Sequence, residues 1–205
     1  MLFEAHQFLQ LIVDQFKHTT WPEWLGVITG FTCIYLATKE SILSWPISII
    51  SVIAYAFVFF EARMYGDMAL QFYFLFTALY GWYYWRKKEV NNDKPIENLS
   101  RNGWLLAGLS ILVLSALLGL FLDHFTNTDV PYEDGFCTAM SFVAQMLLTR
   151  KILQNWILWI IVDICYIPLY IYKNLNLSAI FYAFLVVIAI KGYLDWRRNY
   201  REQAI

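Results

Sequence analysis

Apolar residues run along this chain in long blocks, broken by short polar punctuation. The blocks are roughly 15 to 20 residues long, the length a helix needs to cross the hydrocarbon core of a bilayer. The pattern predicts seven membrane spans, at about 24–38, 44–60, 68–85, 104–121, 136–149, 156–172 and 178–196. The fold class expected is therefore an all-α integral membrane protein. Thr20 is placed to cap the first span, and Pro22 suits its first turn. Residues 1–20 carry Leu2, Phe3, Phe8, Leu11, Ile12 and Phe16 between polar positions, which predicts an amphipathic segment lying at the membrane surface. The first residues do not read as a secretory signal peptide.

Composition agrees with the blocks: 60% of the residues are hydrophobic, 19% aromatic and only 15% charged. A soluble domain carries about a quarter charged residues. With a net charge of −1, nothing points to a nucleic-acid partner. Charge position is more telling than charge total. With seven spans, 11 Lys and Arg fall on one side of the membrane and 3 (Lys17, Arg63, Lys173) on the other, with Lys191 inside the last span. Cytoplasmic loops collect Lys and Arg, so the N-terminus is expected outside and the C-terminus inside a bacterial inner membrane. Cys33, Cys137 and Cys165 lie in apolar blocks without metal-ligand spacing and read as buried free thiols. No cofactor is expected.

Sliding the sequence against itself by 111 residues, without gaps, aligns Lys39 with Arg150, Trp45 with Trp156 and Tyr55 with Tyr166. The same shift aligns Gly81 with Gly192, Trp85 with Trp196, and Arg86-Lys87 with Arg197-Arg198. Spans one to three thus echo spans five to seven in the same orientation. This predicts a unit at 21–86, a loop and connector helix at 87–122, a second unit at 123–197 and a basic tail at 198–205. Parallel repeats with a site between them near the midplane are a transporter design.

The candidate chemistry centres on RKILQNWILWIIVDICYIPLYIYK, residues 150–173. Its middle holds one carboxylate, Asp163, and a bare carboxylate at that depth costs at least ~2.5 kcal/mol on insertion scales. Trp156, Trp159, Asp163, Tyr166 and Tyr170 recur at three- and four-residue steps and share one helix face. An aromatic wall with one negative charge suits a small, flat cation. Lys191 is the rival partner for Asp163. Span five offers Thr138, Ser141 and Gln145 on one face, and Gln71 of span three and Tyr55 of span two complete the candidate set. Pro46 and Pro168 are candidate bends. The histidines (His6, His18, His124) lie outside the core spans, no HExxH metal motif is present, and no two carboxylates pair within one span, so an intramembrane enzyme is disfavoured. A seven-helix sensor is a further alternative, weakened by the internal repeat.

The runs YGDMALQFYFLFTALYGWYYW and SFVAQMLLTRKILQNWILW resemble the Pnu family of bacterial vitamin transporters, over nearly the whole chain from the first span to the tail. The resemblance implies seven helices in a 3+1+3 parallel-repeat arrangement like that of the SWEET sugar transporters. It implies facilitated diffusion, with trapping of the vitamin by cytoplasmic phosphorylation, and a homotrimer. Sequences of its PnuC branch, which carry nicotinamide riboside, tend to have asparagine where this chain has Ser51, Ala78 and Asp163, while Gln71 is retained. Asparagine both donates and accepts, and its replacement by a carboxylate favours a cation. Nicotinamide riboside and thiamine are both cationic. On these residues the thiamine-type PnuT branch is the leading expectation, with nicotinamide riboside the alternative.

Overall fold

The computed structural model describes residues 20–61, 65–90, 96–172 and 176–203. They form seven α-helices: α1 Trp21–Thr38, α2 Ser44–Glu61, α3 Tyr65–Val90, α4 Arg101–Phe125, α5 Pro131–Thr149, α6 Asn155–Tyr172 and α7 Asn176–Glu202. The predicted surface segment at 1–20 lies, but for its last residue, outside the described residues. At Thr20 the backbone N–H donates to the Glu23 carboxylate at 2.6 Å, so the expected start of α1 is capped. Ser100 caps α4, accepting from the Gly103 N–H at 3.1 Å. Pro46 sits in the first turn of α2, where a missing N–H costs nothing, so it is not a mid-helix bend. Pro168 does lie inside α6 and removes the amide that would bond the Ile164 carbonyl.

Among the described residues, four helices are long and apolar enough to cross a membrane: α2, α4, α6 and the Ala179–Glu202 part of α7. The exposed and buried faces are inverted relative to a soluble protein. Leu105, Leu106, Leu109 and Leu112 of α4 are exposed, whereas Ser51, Thr77, Ser141, Gln145, Asn155 and Asp163 are buried. Hydrocarbon is the solvent that rewards this arrangement, because polar side chains must then find partners inside.

Helix contacts run α1 to α2 to α3 and α5 to α6 to α7, and two cross-contacts, α3 to α5 and α1 to α7, close these six helices into a ring. The connector α4 packs chiefly against α5 from outside. A Cβ on Gly135 would lie 2.7 Å from the Gly119 backbone, so this contact is backbone against backbone, as small residues allow between membrane helices.

The 111-residue echo extends to hydrogen bonds. Between α1 and α2 the amides of Lys39 and Ser41 reach the Leu36 carbonyl, and between α5 and α6 those of Arg150 and Ile152 reach Leu147. The bonds from Ser44 to Ser41 and from Trp45 to Ile42 recur as Asn155 to Ile152 and Trp156 to Leu153. Each turn pivots on a left-handed residue, Glu40 (φ 53°) and Lys151 (φ 56°), again 111 apart. Gly81 gives room to the Trp45 ring and Gly192 to the Trp156 ring, where an added Cβ would come within 2.4 and 2.7 Å. One element breaks the correspondence. After α3 the chain lays Glu97 against the second turn only, pairing its N–H with the Lys151 carbonyl (2.9 Å) and its carbonyl with the Leu153 N–H (2.8 Å).

Candidate functional site

The ring surrounds a cavity of 660 Å³, within the range that holds small organic ligands. All six ring helices line it and α4 contributes nothing. Of the candidates singled out from the sequence, all but one reach it: Ser51, Gln71, Thr138, Ser141, Gln145, Trp156, Trp159, Asp163, Tyr166 and Tyr170. Tyr55 does not. Its ring fills the space left by Gly26 of α1 and stacks on Phe59 at 5.9 Å, so it packs helices together. The five-residue face of α6 holds, since Tyr170 lines the cavity with the other four.

Asp163 is 3% exposed and borders the cavity. Among the described residues none forms an ion pair or hydrogen bond with it. The rival partner is accounted for elsewhere: Lys191 pairs with Asp195 at 3.1 Å, and Lys39 joins the same carboxylate at 3.0 Å. That hydrogen bond holds the Lys39 ammonium above its usual pKa. The ring tyrosines cluster near Asp163, with centroids 5.5 Å apart for Tyr166 and Tyr170, 4.8 Å for Tyr166 and Tyr182, and 5.1 Å for Tyr170 and Tyr182. A buried carboxylate among aromatic rings can hold a cation by charge and by ring quadrupoles together.

Other polar groups are partly committed. Ser51 donates to the Gly26 carbonyl at 2.9 Å, Ser141 to the Cys137 carbonyl at 2.8 Å, and the Gln145 amide reaches Thr77 Oγ1 at 3.4 Å. The hydroxyl groups of Ser51 and Ser141 can still accept. Several lining residues escaped the sequence reading, among them Tyr182 and Asp134. Tyr182 was legible through the repeat, since it is the counterpart of Gln71. Asp134 falls between the predicted spans at 104–121 and 136–149, but α4 runs to Phe125 and α5 starts at Pro131, which draws Asp134 into the first helical turn.

The repeat also shows where the cavity is lopsided. The counterparts of Asp163, Gln145 and Ser141 are Val52, Ile34 and Gly30, and all six line the cavity. Polar recognition groups are concentrated in α5 to α7, against a more apolar wall from α1 and α2.

These features define a polytopic α-helical membrane protein with an interior cavity of small-molecule size. The family model described as "Nicotinamide mononucleotide transporter" matches residues 20–198, and the chain belongs to that family of membrane transporters. The nicotinamide riboside transporter PnuC of Escherichia coli is 25% identical, with 90% of this chain and 88% of the relative covered. PnuC of Neisseria mucosa is 26% identical, over 93% of this chain and 77% of the relative. The riboflavin/roseoflavin transporter RibM of Streptomyces davaonensis is 23% identical, over 88% and 86%. A crystal structure of the vitamin B3 transporter PnuC superposes with a TM-score of 0.73 at 26% identity, covering 95% of this chain and 88% of that one.

Proposed function

We propose that this protein carries a flat, cationic vitamin across a bacterial inner membrane by facilitated diffusion, and that nicotinamide riboside is its substrate. The observation that carries the reading is the buried Asp163, without an ion-pair partner among the described residues, beside Tyr166, Tyr170 and Tyr182 in the ring cavity. The names of the PnuC relatives favour nicotinamide riboside over the thiamine that the sequence alone suggested. Thiamine stands as a second reading for one reason: Ser51 and Asp163, which both line the cavity, replace the asparagines of PnuC-like sequences. An aminopyrimidine is a plausible match for Gln71 and a carboxylate. Ala78, the third replaced position, is buried against the tryptophan core instead and bears less on the ligand.

The arrangement proposed is two three-helix units, 21–86 and 123–197, joined through α4 and rocking about the site, with seven spans in total. The helix contacts and matched turns support it. In this reading Gln71, Ser51, Ser141 and Gln145 address the polar groups of the substrate, while Trp156, Trp159 and Tyr166 flank its ring. The basic end, with Lys39, Arg150, Arg197 and Arg198, faces the cytoplasm. There a kinase phosphorylates the vitamin and so traps it. A homotrimer is the assembly the family resemblance implies.

The test is uptake by proteoliposomes of labelled nicotinamide riboside, thiamine and riboflavin, without ATP or an ion gradient. The expected result is equilibration of unmodified nicotinamide riboside, outcompeted by excess unlabelled nicotinamide riboside. Saturable uptake of thiamine alone moves the assignment to the second reading. Preference for neutral riboflavin, or no saturable uptake of any of the three, sinks the cationic-vitamin reading.

A further inference from the structure

The floor of the cavity at the basic end is a closed layer built on the internal repeat. Trp45 and Trp156 line the cavity. They pack edge-on against Trp85 (5.2 Å) and Trp196 (5.6 Å), whose own centroids are 6.0 Å apart. Trp85 and Trp196 each donate an indole N–H across one of the two contacts that close the ring. From α3 to α5 the acceptor is the Thr149 carbonyl at 3.1 Å, and from α7 to α1 it is the Ala37 carbonyl at 3.0 Å. Beside this layer stand Glu40 and Lys151, equivalent positions in the two copies. Their side chains are about nine-tenths buried, and Lys151 Nζ lies 3.6 Å from Glu40 Oε2. The Lys151 ammonium also sits 4.6 Å over the Trp85 ring. A repeat that is symmetric in backbone thus carries opposite charges at one matched position, and those charges meet.

We propose that the Glu40–Lys151 pair is the latch of a gate at the basic end, and that the path from the cavity opens when the two turns part and the Trp85 and Trp196 indoles release their carbonyls. This rests on the transporter reading but not on which vitamin is carried. A gate needs a contact that closes one state without being uniformly satisfied, so that the other state competes. The layer has that character. Trp85 and Trp196 are bonded, while the other repeat-related pair, Trp45 and Trp156, hold buried indole N–H groups with no partner among the described residues. Ser44 Oγ and Asn155 Oδ1, also 111 apart, are buried and likewise without a partner among the described residues. Unpaired buried polar groups are costly, and parting the turns would hydrate all four. The two sides of the latch are held differently. Lys151 is anchored by Glu97 at its backbone, whereas the Glu40 carboxylate is held by Asn199 of α7 at 2.6 Å.

Cys33 lines the cavity and is a native reporter. In a Cys137→Ala/Cys165→Ala background, its reaction with a membrane-impermeant methanethiosulfonate is timed in inside-out and right-side-out vesicles. Glu40→Gln and Lys151→Gln should each speed labelling from the basic face about tenfold, with no matching rise from the other face. Exchanging the pair, Glu40→Lys with Lys151→Glu, should return the rate toward the parent value. Trp196→Phe keeps an aromatic ring in the layer, removes the indole N–H that bonds the Ala37 carbonyl together with part of the bicycle, and should also speed labelling. The proposal is overturned if these three variants leave the basic-face rate unchanged, if they raise both faces alike, or if the exchanged pair stays as reactive as the single variants.

Discussion

Replacing Asp163 by asparagine removes one negative charge at nearly constant shape, because the two side chains are isosteric; one acceptor oxygen remains and the other becomes an NH2 donor. The size of the effect follows from where the charge sits. A monovalent cation about 4 Å from a carboxylate gains about 1 kcal/mol in bulk water and about 4 kcal/mol at an effective dielectric of 20. Asp163 is 3% exposed, which places it nearer the second limit. Desolvating the cation offsets part of the gain. A loss of about 1.4 to 2.8 kcal/mol, a 10- to 100-fold weaker Kd, is therefore expected on Asp163→Asn. The assay is calorimetric titration of purified protein with nicotinamide riboside and, in parallel, with its neutral dihydro form. The cationic ligand should lose the full factor and the neutral one little. Equal losses for both would mean that Asp163 shapes the cavity rather than balancing charge, and no loss for either would refute its role in binding altogether.

Other substitutions separate packing from recognition. Gly81→Ala should cost about 1 to 3 kcal/mol of stability, because its Cβ would come within 2.4 Å of the Trp45 ring in a filled core. Gly108→Ala, with nothing within 4 Å, should lose none; equal melting temperatures for both variants would contradict the tight Gly81–Trp45 fit. Tyr166→Leu should weaken substrate binding about tenfold or more while Tyr55→Leu leaves Kd unchanged and lowers the melting temperature, since only Tyr166 lines the cavity. A Kd shift on Tyr55→Leu as large as that on Tyr166→Leu would argue against the placement of the two rings.

Depth and face could be read from the sequence wherever periodicity carries them. The shared face of Trp156, Trp159, Asp163, Tyr166 and Tyr170 follows from helical spacing, and all five residues line one cavity. The span ends at Thr38 and Thr149 were legible because a charged pair follows each apolar block. What the one-dimensional pattern lacks is direction around the bundle. Trp45, Trp85, Trp156 and Trp196 sit at span ends, where tryptophan commonly anchors at the membrane interface. Here they are 1–3% exposed or fully buried, because they point to the ring axis and not to lipid. The two locations have the same depth and the same composition, so only the fold separates them. Lys191 was misleading for a related reason. It shares an approximate depth with Asp163, yet its four-residue spacing to Asp195 offers a nearer partner on its own helix.

Symmetry and asymmetry are divided between two layers of this molecule, and the division constrains how transport can work. At the basic end the two copies match turn for turn and tryptophan for tryptophan, so any motion that parts one turn from its neighbour has a mirror in the other copy. One layer deeper the copies diverge, with Asp163, Gln145 and Ser141 in one copy where the other has Val52, Ile34 and Gly30. In the proposed reading, a cation held by the α6 carboxylate loads one copy more than the other. The ligand can bias a paired motion through differential contacts, which is the only way a ligand shifts a conformational equilibrium. The Glu40–Lys151 contact is where the two layers' logic meets: a matched backbone position carrying unmatched charge. Two like charges there would repel across the turns and two neutral groups would leave the closed layer to the indoles alone. Opposite charges let a duplicated helix unit fasten to its own copy.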